Sequence, residues 1–188
     1  MATTFTPYGA IAGLLLVEGR SFPDDRGFFM ESFRADDWTK AGLPPLVQDN
    51  LSRSKKGVIR GLHFQKNPQA IGKLVRCARG RIFDVAVDIR RGSPTYGKSA
   101  SIELSEEGNR MFWVPAGFAH GFCALSDEAD VAYKVTGYWS AAVDAGVLWN
   151  DPAIGIKWPV PAGGPLVSAK DAELPPLAAA DHDFVWQP

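Results

Sequence analysis

The sequence predicts an all-β fold with a few short helices. Its 19 glycines and 14 prolines interrupt short runs rich in valine, isoleucine and aromatic residues, and turn signals recur about every ten residues. Residues 82–89 alternate most regularly: Asp84 and Asp88 lie on one face, and the other face is apolar, with Phe83, Val85, Val87 and Ile89. These features are typical of a β-sandwich or barrel.

The remaining elements follow in chain order. Strands are predicted over residues 100–104, 111–114, 118–122 and 131–139, each bounded by glycine, proline or a polar turn. A short helix is predicted over residues 36–41, because acidic residues stand at its start and Gly42 follows its end. A second short helix is predicted over residues 141–145.

The chain from Pro159 onward is rich in proline, alanine and glycine. It predicts an irregular C-terminal arm that wraps on the body. Phe184 and Trp186, near its end, are expected to insert into a groove; a frayed tail is the alternative.

The chain has 188 residues, a length typical of one domain, so residues 1–188 are expected to form a single domain. The net charge of -1 argues against a nucleic-acid partner, which usually requires a basic surface. Residues 14–17 are apolar but too short to cross a membrane, and the first residues lack the basic segment of a signal peptide. With Cys77 and Cys123 expected to be reduced and buried, the predicted location is the cytoplasm.

His63 and Lys73 suggest the chemistry. An imidazole can accept a proton near neutral pH, and a nearby ammonium can stabilise an oxyanion. Tyr133 could act as a proton donor. Together the three residues suggest proton abstraction next to a carbonyl, which requires neither metal nor cofactor. Singly, each has an ordinary structural interpretation.

The period of two residues in a strand places side chains on faces. One polar face comprises Gln48, Asn50, Ser52 and Ser54. Tyr133 and Trp139 share a face if their strand is unbroken. Arg60 and His63 have opposite parity, so they reach one pocket only if Gly61 introduces a bulge or bend.

Competing site types leave weaker signals. A metal site could use His63 and His120 with a carboxylate, but there is no His-x-His pair and no cysteine cluster. Glycine-rich phosphate loops are absent. Arg26 and Arg60 could hold a diphosphate, although surface ion pairs explain them equally well. Trp139 could stack on a flat base or pack in the core.

Several segments together resemble one known family, dTDP-4-dehydrorhamnose 3,5-epimerase. They are collinear over nearly the whole chain, and the two histidine motifs in combination are specific. The segments are Asp25-Arg26-Gly27-x-Phe29-x-Glu31, Gln48-Asp49-Asn50-x-Ser52, Gly57-Val58-Ile59-Arg60-Gly61-Leu62-His63, Asp84-Val85-x-Val87-Asp88-Ile89-Arg90, Ser93-Pro94-Thr95-x-Gly97, Pro115-x-Gly117-Phe118-Ala119-His120-Gly121-Phe122 and Ser168-x-Lys170-Asp171.

The resemblance implies a cupin-type jelly-roll barrel and a homodimer that exchanges N-terminal strands. It also implies a cofactor-independent isomerase that inverts C3 and C5 of dTDP-4-dehydro-6-deoxy-D-glucose on the route to dTDP-L-rhamnose.

The resemblance also implies roles for individual residues. His63 is the base, oriented by Asp171, and Tyr133 is the acid on the opposite face of the sugar. Lys73 stabilises the enolate oxygen. Trp139 stacks on thymine. The other implied substrate contacts are Arg26, Glu31, Gln48, Asp49, Asn50, Arg60, His120, Asp144 and Lys170, of which Arg26 and Glu31 would serve the neighbouring subunit.

Three positions depart from the family pattern. Trp139 replaces a common tyrosine, Asp144 replaces a longer carboxylate, and Ile71 replaces a common glutamine. The alternatives left open are an epimerase that inverts only C3 or only C5, a ketoisomerase, a metal-dependent cupin enzyme and a non-catalytic sugar-nucleotide binding module.

Overall fold

A computed structural model describes residues 3–188, and most of its regular structure consists of short strands. The two α-helices are α1 (Ala35–Lys40) and α2 (Ala169–Ala172), and a 3-10 turn spans Leu177–Ala179. The strands are β1 (Thr4–Pro7), β2 (Leu15–Glu18), β3 (Arg20–Asp24), β4 (Gly27–Glu31), β5 (Gln48–Lys55), β6 (Val58–Gln65), β7 (Lys73–Arg79), β8 (Arg81–Asp88), β9 (Ser99–Ser105), β10 (Arg110–Val114), β11 (Phe118–Ala124), β12 (Glu128–Val135), β13 (Asp144–Gly146) and β14 (Leu166–Val167).

These strands form two main sheets. The first has the order β1-β2-β10-β7-β12-β5, and the second has the order β13-β6-β11-β8-β9, with β14 added in parallel beside β6. From β5 to β8 the chain passes from one sheet to the other at every step, and after β9 it does so again through β13. Such alternation is characteristic of a jelly roll. The predicted all-β, cupin-type fold is confirmed.

The main core fills the space between the sheets. Its members come from inward-facing positions that alternate along each strand, and they are almost completely buried. Burial of one such side chain contributes about 1.5–3 kcal/mol. The first sheet supplies Val75, Phe112, Val114 and Val131, and the second supplies Ala86, Ile102, Leu104 and Phe122.

Two further clusters cover outer faces of the sheets. Trp38 of α1 packs edge-on against Trp113 of the first sheet, with ring centroids 5.0 Å apart. On the second sheet, Leu177 and Phe184 of the C-terminal arm cover Val85 and neighbouring residues. Strand β8 is therefore buried on both faces, although its alternation is the one that the sequence predicted.

The C-terminal arm is docked as predicted, with short helical turns in place of a wholly irregular course. Phe184 is buried, and Val185 forms a bridge with Arg91. The guanidinium of Arg90 lies 4.3 Å from the Trp186 ring centroid. These contacts fix the last residues of the arm onto the second sheet.

Two predicted elements are corrected. No helix spans residues 141–145: the chain turns there and enters β13, because pairing with β6 satisfies its backbone groups. The strand predicted over residues 131–139 runs instead from Glu128 to Val135. Trp139 therefore lies in the following loop, so the unbroken strand that a face shared with Tyr133 would require is not present. Helix α1 agrees with its prediction within one residue.

Candidate active site

A cavity of about 670 Å³ opens between the two sheets. Its walls come from both sheets and from the C-terminal arm. Principal lining residues are Ser52, Lys73 and Tyr133 of the first sheet, Arg60, His63 and His120 of the second, and Lys170 and Asp171 of the arm. A smaller lobe of about 190 Å³ shares four of these, His63, Lys73, Tyr133 and Lys170, and adds Gln48, Asn50, Trp139 and Asp144 among others.

His63 pairs with a buried carboxylate. Its Nε2 lies 2.7 Å from Oδ1 of Asp171, while the Gly61 amide donates to Oδ2 at 3.2 Å. Burial acts to raise the pKa of Asp171, but the hydrogen bonds from His63 and Gly61 outweigh it and hold that pKa below its usual range. An ionised Asp171 accepts a hydrogen bond from Nε2–H, so the lone pair of the neutral imidazole is on Nδ1.

Asp171 is positioned by the short helix α2. The Ser168 hydroxyl caps this helix and accepts a hydrogen bond from the Asp171 amide at 3.1 Å. Just before the helix, β14 pairs with β6, the strand that carries His63. The arm and the histidine strand are therefore held in one register, and Asp171 is only 4% exposed.

The irregularity at Gly61 that a pocket shared by Arg60 and His63 requires is present. Strand β11 pairs His120 with His63 and Phe122 with Arg60, so three steps along β6 match two steps along β11. Gly61 has φ of 131°, which favours glycine, and an added Cβ would meet Gly121 Cα at 2.6 Å. The extra residue in β6 brings Arg60 and His63 to the same cavity.

Lys73 reaches the cavity from β7. Its ammonium donates to the carbonyl oxygen of His63 at 3.2 Å. Lys73 is half-buried at the cavity wall, and burial of its ammonium lowers its pKa to about 8, against the opposing charges of Asp84 and Asp144. A cation whose pKa is close to physiological pH thus stands beside the histidine.

Tyr133 faces the cavity from β12. Burial raises the pKa of its phenol, with the charge of Arg60 acting in the opposite direction. The hydroxyl therefore stays protonated at neutral pH and can donate a proton. Tyr133 and His63 belong to different sheets and line the same cavity from its two sides.

His120 forms a second histidine–aspartate pair. Its Nε2 lies 2.9 Å from Oδ1 of Asp84, and both residues are buried. Burial lowers the pKa of His120, although the Asp84 carboxylate opposes this shift. Asp84 was not among the predicted site residues. The available signal was a pair of aspartates, Asp84 and Asp88, in a strand whose other residues after Arg81 are apolar.

Several polar side chains line the cavity walls. The Arg60 guanidinium donates to Ser54 Oγ at 3.0 Å and to the Arg53 carbonyl at 3.2 Å. Gln48 donates to Asn50 Oδ1 at 2.8 Å. Lys170 and Asp144 form an ion pair.

Ser52 was missed as a candidate site residue. Its hydroxyl lines the cavity, is buried, and has no hydrogen-bond partner among residues 3–188. Period-two alternation had placed Ser52 on the polar face with Gln48 and Asn50, which was the signal available.

The structure does not bring three of the predicted substrate contacts to this cavity. Asp49 points to the outer face of the first sheet, where its carboxylate pairs with Lys134 at 2.7 Å. Arg26 and Glu31 belong to the separate β3–β4 hairpin, and the Arg26 side chain is 90% exposed. Their predicted roles therefore require another chain or another conformation.

Residues 3–188 contain no group of three or more histidine, cysteine, aspartate or glutamate side chains arranged to hold a metal ion. Nor does any helix in this part of the chain have the length and apolar character required to cross a membrane. Both cysteines are free and buried, as predicted.

The family model described as dTDP-4-dehydrorhamnose 3,5-epimerase matches residues 9–179. The chain belongs to this family. A dTDP-4-dehydrorhamnose 3,5-epimerase of Shigella flexneri is 50% identical over 174 residues, which are 92% of this chain and 95% of the relative. The resemblance stated from the motifs is thereby confirmed.

Two further relatives are similar over most of the chain. The structure of a dTDP-6-deoxy-D-glucose-3,5-epimerase from Legionella pneumophila, in complex with dTDP-4-keto-L-rhamnose, is 44% identical with a TM-score of 0.90 and covers 95% of both chains. A dTDP-4-dehydrorhamnose 3-epimerase of Streptomyces niveus is 41% identical over 172 residues, 90% of this chain and 82% of the relative.

Proposed function

We propose that this chain inverts C3 and C5 of dTDP-4-dehydro-6-deoxy-D-glucose, producing dTDP-4-dehydro-L-rhamnose for dTDP-L-rhamnose synthesis. The observation that carries the proposal is the pairing of the His63–Asp171 dyad with Tyr133 across one cavity, from facing sheets. Membership of the epimerase family supports the same substrate class.

The C4 ketone acidifies the C–H bonds on both of its neighbouring carbons. Nδ1 of His63 removes the proton as the C–H bond breaks, and the electron pair forms an enolate with its charge on the C4 oxygen. The Lys73 ammonium stabilises that oxygen. Tyr133 then protonates the same carbon from the opposite face, and the new C–H bond has the inverted configuration.

Each inversion leaves an imidazolium at His63 and a phenolate at Tyr133. Exchange with solvent returns the imidazolium proton to water and restores the phenol, so that the second carbon can react in the same way. Asp171 stabilises the imidazolium, as a triad carboxylate does in a hydrolase.

The remaining lining residues are proposed to hold the nucleotide. Arg60 offers a guanidinium to the diphosphate, since its fork suits phosphate oxygens. Trp139, which is 60% exposed at the edge of the smaller lobe, offers an indole face to thymine. The polar groups that would contact the rest of the substrate are Gln48, Asn50, His120, Asp144 and Lys170.

A homodimer that exchanges N-terminal strands is proposed as the working assembly. The β3–β4 hairpin stands outside both main sheets and exposes Phe28 and Phe29 by 56% and 67%. Strand β5 is an edge strand on which Leu51 is 71% exposed. Exposed apolar side chains beside an open sheet edge favour pairing with a second chain, which would deliver Arg26 and Glu31 to the partner's cavity.

The cytoplasm is the proposed location of the protein. Its two cysteines are free and buried, which is consistent with a reducing compartment.

Proton NMR in deuterated water tests the reaction. With dTDP-4-dehydro-6-deoxy-D-glucose as substrate, we expect deuterium at both C3 and C5. An enzyme that inverts a single carbon is the second candidate, favoured by the 3-epimerase of Streptomyces niveus in the same family. Deuterium at one carbon only would establish that alternative.

Two variants test the roles in the proposed reaction. His63→Ala is expected to lower the rate of exchange by about 10²–10⁴-fold while nucleotide binding is retained. Tyr133→Phe is expected to impair epimerisation more than it impairs deuterium exchange. Tyr96→Phe, a partly exposed tyrosine away from the cavity, is the matched control. Full turnover by Tyr133→Phe would contradict the acid role.

A further inference from the structure

Gln65 lies two residues beyond His63, at the end of β6, and is only 2% exposed. Its side-chain amide donates to the carbonyl oxygens of Gln69 and Tyr138, at 2.7 and 3.2 Å. Its carbonyl oxygen accepts from the Ser140 amide at 2.6 Å. All three partners are backbone groups, so a single buried side chain holds two separate loops.

Both loops contribute to the smaller lobe of the cavity. The loop after β6 carries Ile71, and the loop after β12 carries Trp139. Tyr138 and Ser140 are the immediate neighbours of Trp139 in the chain, so Gln65 fixes the backbone on both sides of this tryptophan. No other side chain in residues 3–188 donates to or accepts from the backbone at these two positions.

Trp139 has little other support. Its side chain is largely exposed, and within residues 3–188 no aromatic ring packs against the indole. A flat, exposed ring on a loop binds a planar ligand well only if its position is set before binding, because ordering the loop on binding lowers the affinity.

We infer that Gln65 is a positioning residue for nucleotide binding, which holds Trp139 in place to stack on the planar base. The inference rests on the proposed function, since it assumes a nucleotide at this lobe. Gln65 itself borders the smaller lobe, but both of its amide hydrogens are donated to backbone carbonyls and only 2% of the residue is exposed, so we assign its effect on the nucleotide to the placement of Trp139. Its proposed role therefore differs from that of His63 on the same strand, which transfers a proton.

A double-mutant cycle with dTDP as the probe tests this inference by calorimetry. Trp139→Ala is expected to raise the Kd by about 5- to 100-fold, the range for stacking one base on an aromatic ring. Gln65→Met, which keeps the bulk and removes the hydrogen bonds, is expected to raise it about fivefold to tenfold. In the Trp139→Ala background the same change should have less than about a twofold effect.

Gln69→Met is the matched control, because Gln69 is exposed and contributes only its backbone carbonyl to the contact. It should bind dTDP like the parent chain. In turnover, Gln65→Met should raise KM while kcat changes little, since base binding is similar in the ground state and the transition state. Faster hydrogen exchange at the Ser140 amide should accompany the loss of affinity.

If Gln65→Met does not fold, Gln65→Glu, which has the same shape, replaces it in the cycle. Unchanged dTDP affinity in the Gln65 variant overturns the inference, and so does an equal loss in both backgrounds. Unchanged affinity in Trp139→Ala rejects this indole as the base platform, and the inference fails with it. The deuterium-exchange assay reports on the reaction separately, so failure of the proposed function is distinguishable.

Discussion

Two histidine–aspartate pairs of different exposure lie in one cavity. The His63 side chain is 30% exposed and can contact a substrate. The His120 side chain is only 9% exposed and pairs with Asp84, which is fully buried. Lys73 interacts with both pairs: its ammonium donates to the His63 carbonyl oxygen, and the negative charge of Asp84 stabilises the ammonium. Exposure to the cavity therefore favours His63 as the base.

Asp171→Asn tests the orienting carboxylate. The neutral amide keeps the shape but cannot stabilise an imidazolium, so kcat is expected to fall by about 10²-fold or more while KM changes little. Steady-state kinetics provides the measurement. The Ser168→Ala variant, which removes only the helix cap at a cost of about 1 kcal/mol, should lose far less activity. Wild-type kcat in Asp171→Asn would exclude the dyad from catalysis.

Lys73 should impose an alkaline limit on activity. Burial lowers its pKa to about 8, so the ammonium is present below that pH and is lost above it. Because the enolate oxygen requires the positive charge, kcat is expected to fall as pH rises through about 8. Lys73→Arg should move this limit to higher pH, and Lys73→Met should reduce activity at every pH. An unaltered alkaline limit in Lys73→Arg would assign it to another group.

At the scale of the secondary-structure elements, the C-terminal arm serves both stability and function. It supplies Asp171 to the dyad and Phe184 to a core cluster. It also buries His182 among Phe64, Phe184 and Tyr96, with neither ring nitrogen hydrogen-bonded within residues 3–188. The arm thus contains a neutral imidazole in an apolar environment.

His182 should make the protein less stable in acid. Burial lowers its pKa, Arg91 adds to this effect, and Asp181 and Asp183 oppose it. Below about pH 6.5, the ordinary imidazole value, the unfolded chain binds a proton that the folded chain does not, so the free energy of unfolding falls. At pH 7–8 this loss is absent.

His182→Phe is the test of that prediction. It removes two unpartnered nitrogens and is expected to raise the free energy of unfolding by about 1 kcal/mol at pH 8, with a larger gain at pH 5. Urea unfolding at both values provides the measurement, and His120, present in both proteins, cancels from the comparison. An equal gain at the two pH values would show that His182 does not titrate in this window.

At the scale of the whole molecule, the structure has an enclosed core and one face with exposed apolar side chains, which is suited to binding a second chain. The outer face of the second sheet is covered by the arm, and α1 covers part of the first. Beside α1, edge strand β5 and the β3–β4 hairpin leave large apolar side chains in solvent. Of the three predicted substrate contacts that miss the cavity, two, Arg26 and Glu31, belong to that hairpin.

The double variant Leu51→Lys with Phe29→Asp should dissociate the proposed dimer. Sedimentation velocity is expected to give about twice the chain mass of 20.4 kDa for the parent protein and one chain mass for the variant. Turnover should fall with dissociation, because Arg26 and Glu31 no longer reach a partner. Val160→Asp, at another exposed apolar position, should stay dimeric. A monomeric parent protein would reject the exchange of strands.

The sequence by itself determined the all-β class, strands β8 to β11, the two-faced alternation of β8 and the candidates His63, Lys73 and Tyr133. These are local properties, since strand period, turn residues and side-chain chemistry can be read over a few positions. Only the tertiary structure decided that Gly61 shifts the register of β6, that Trp139 leaves its strand, and that Asp84 and Gln65 are buried with partners. Those outcomes depend on pairing between segments far apart in the chain, where backbone hydrogen bonds and burial are settled jointly and not by local preference.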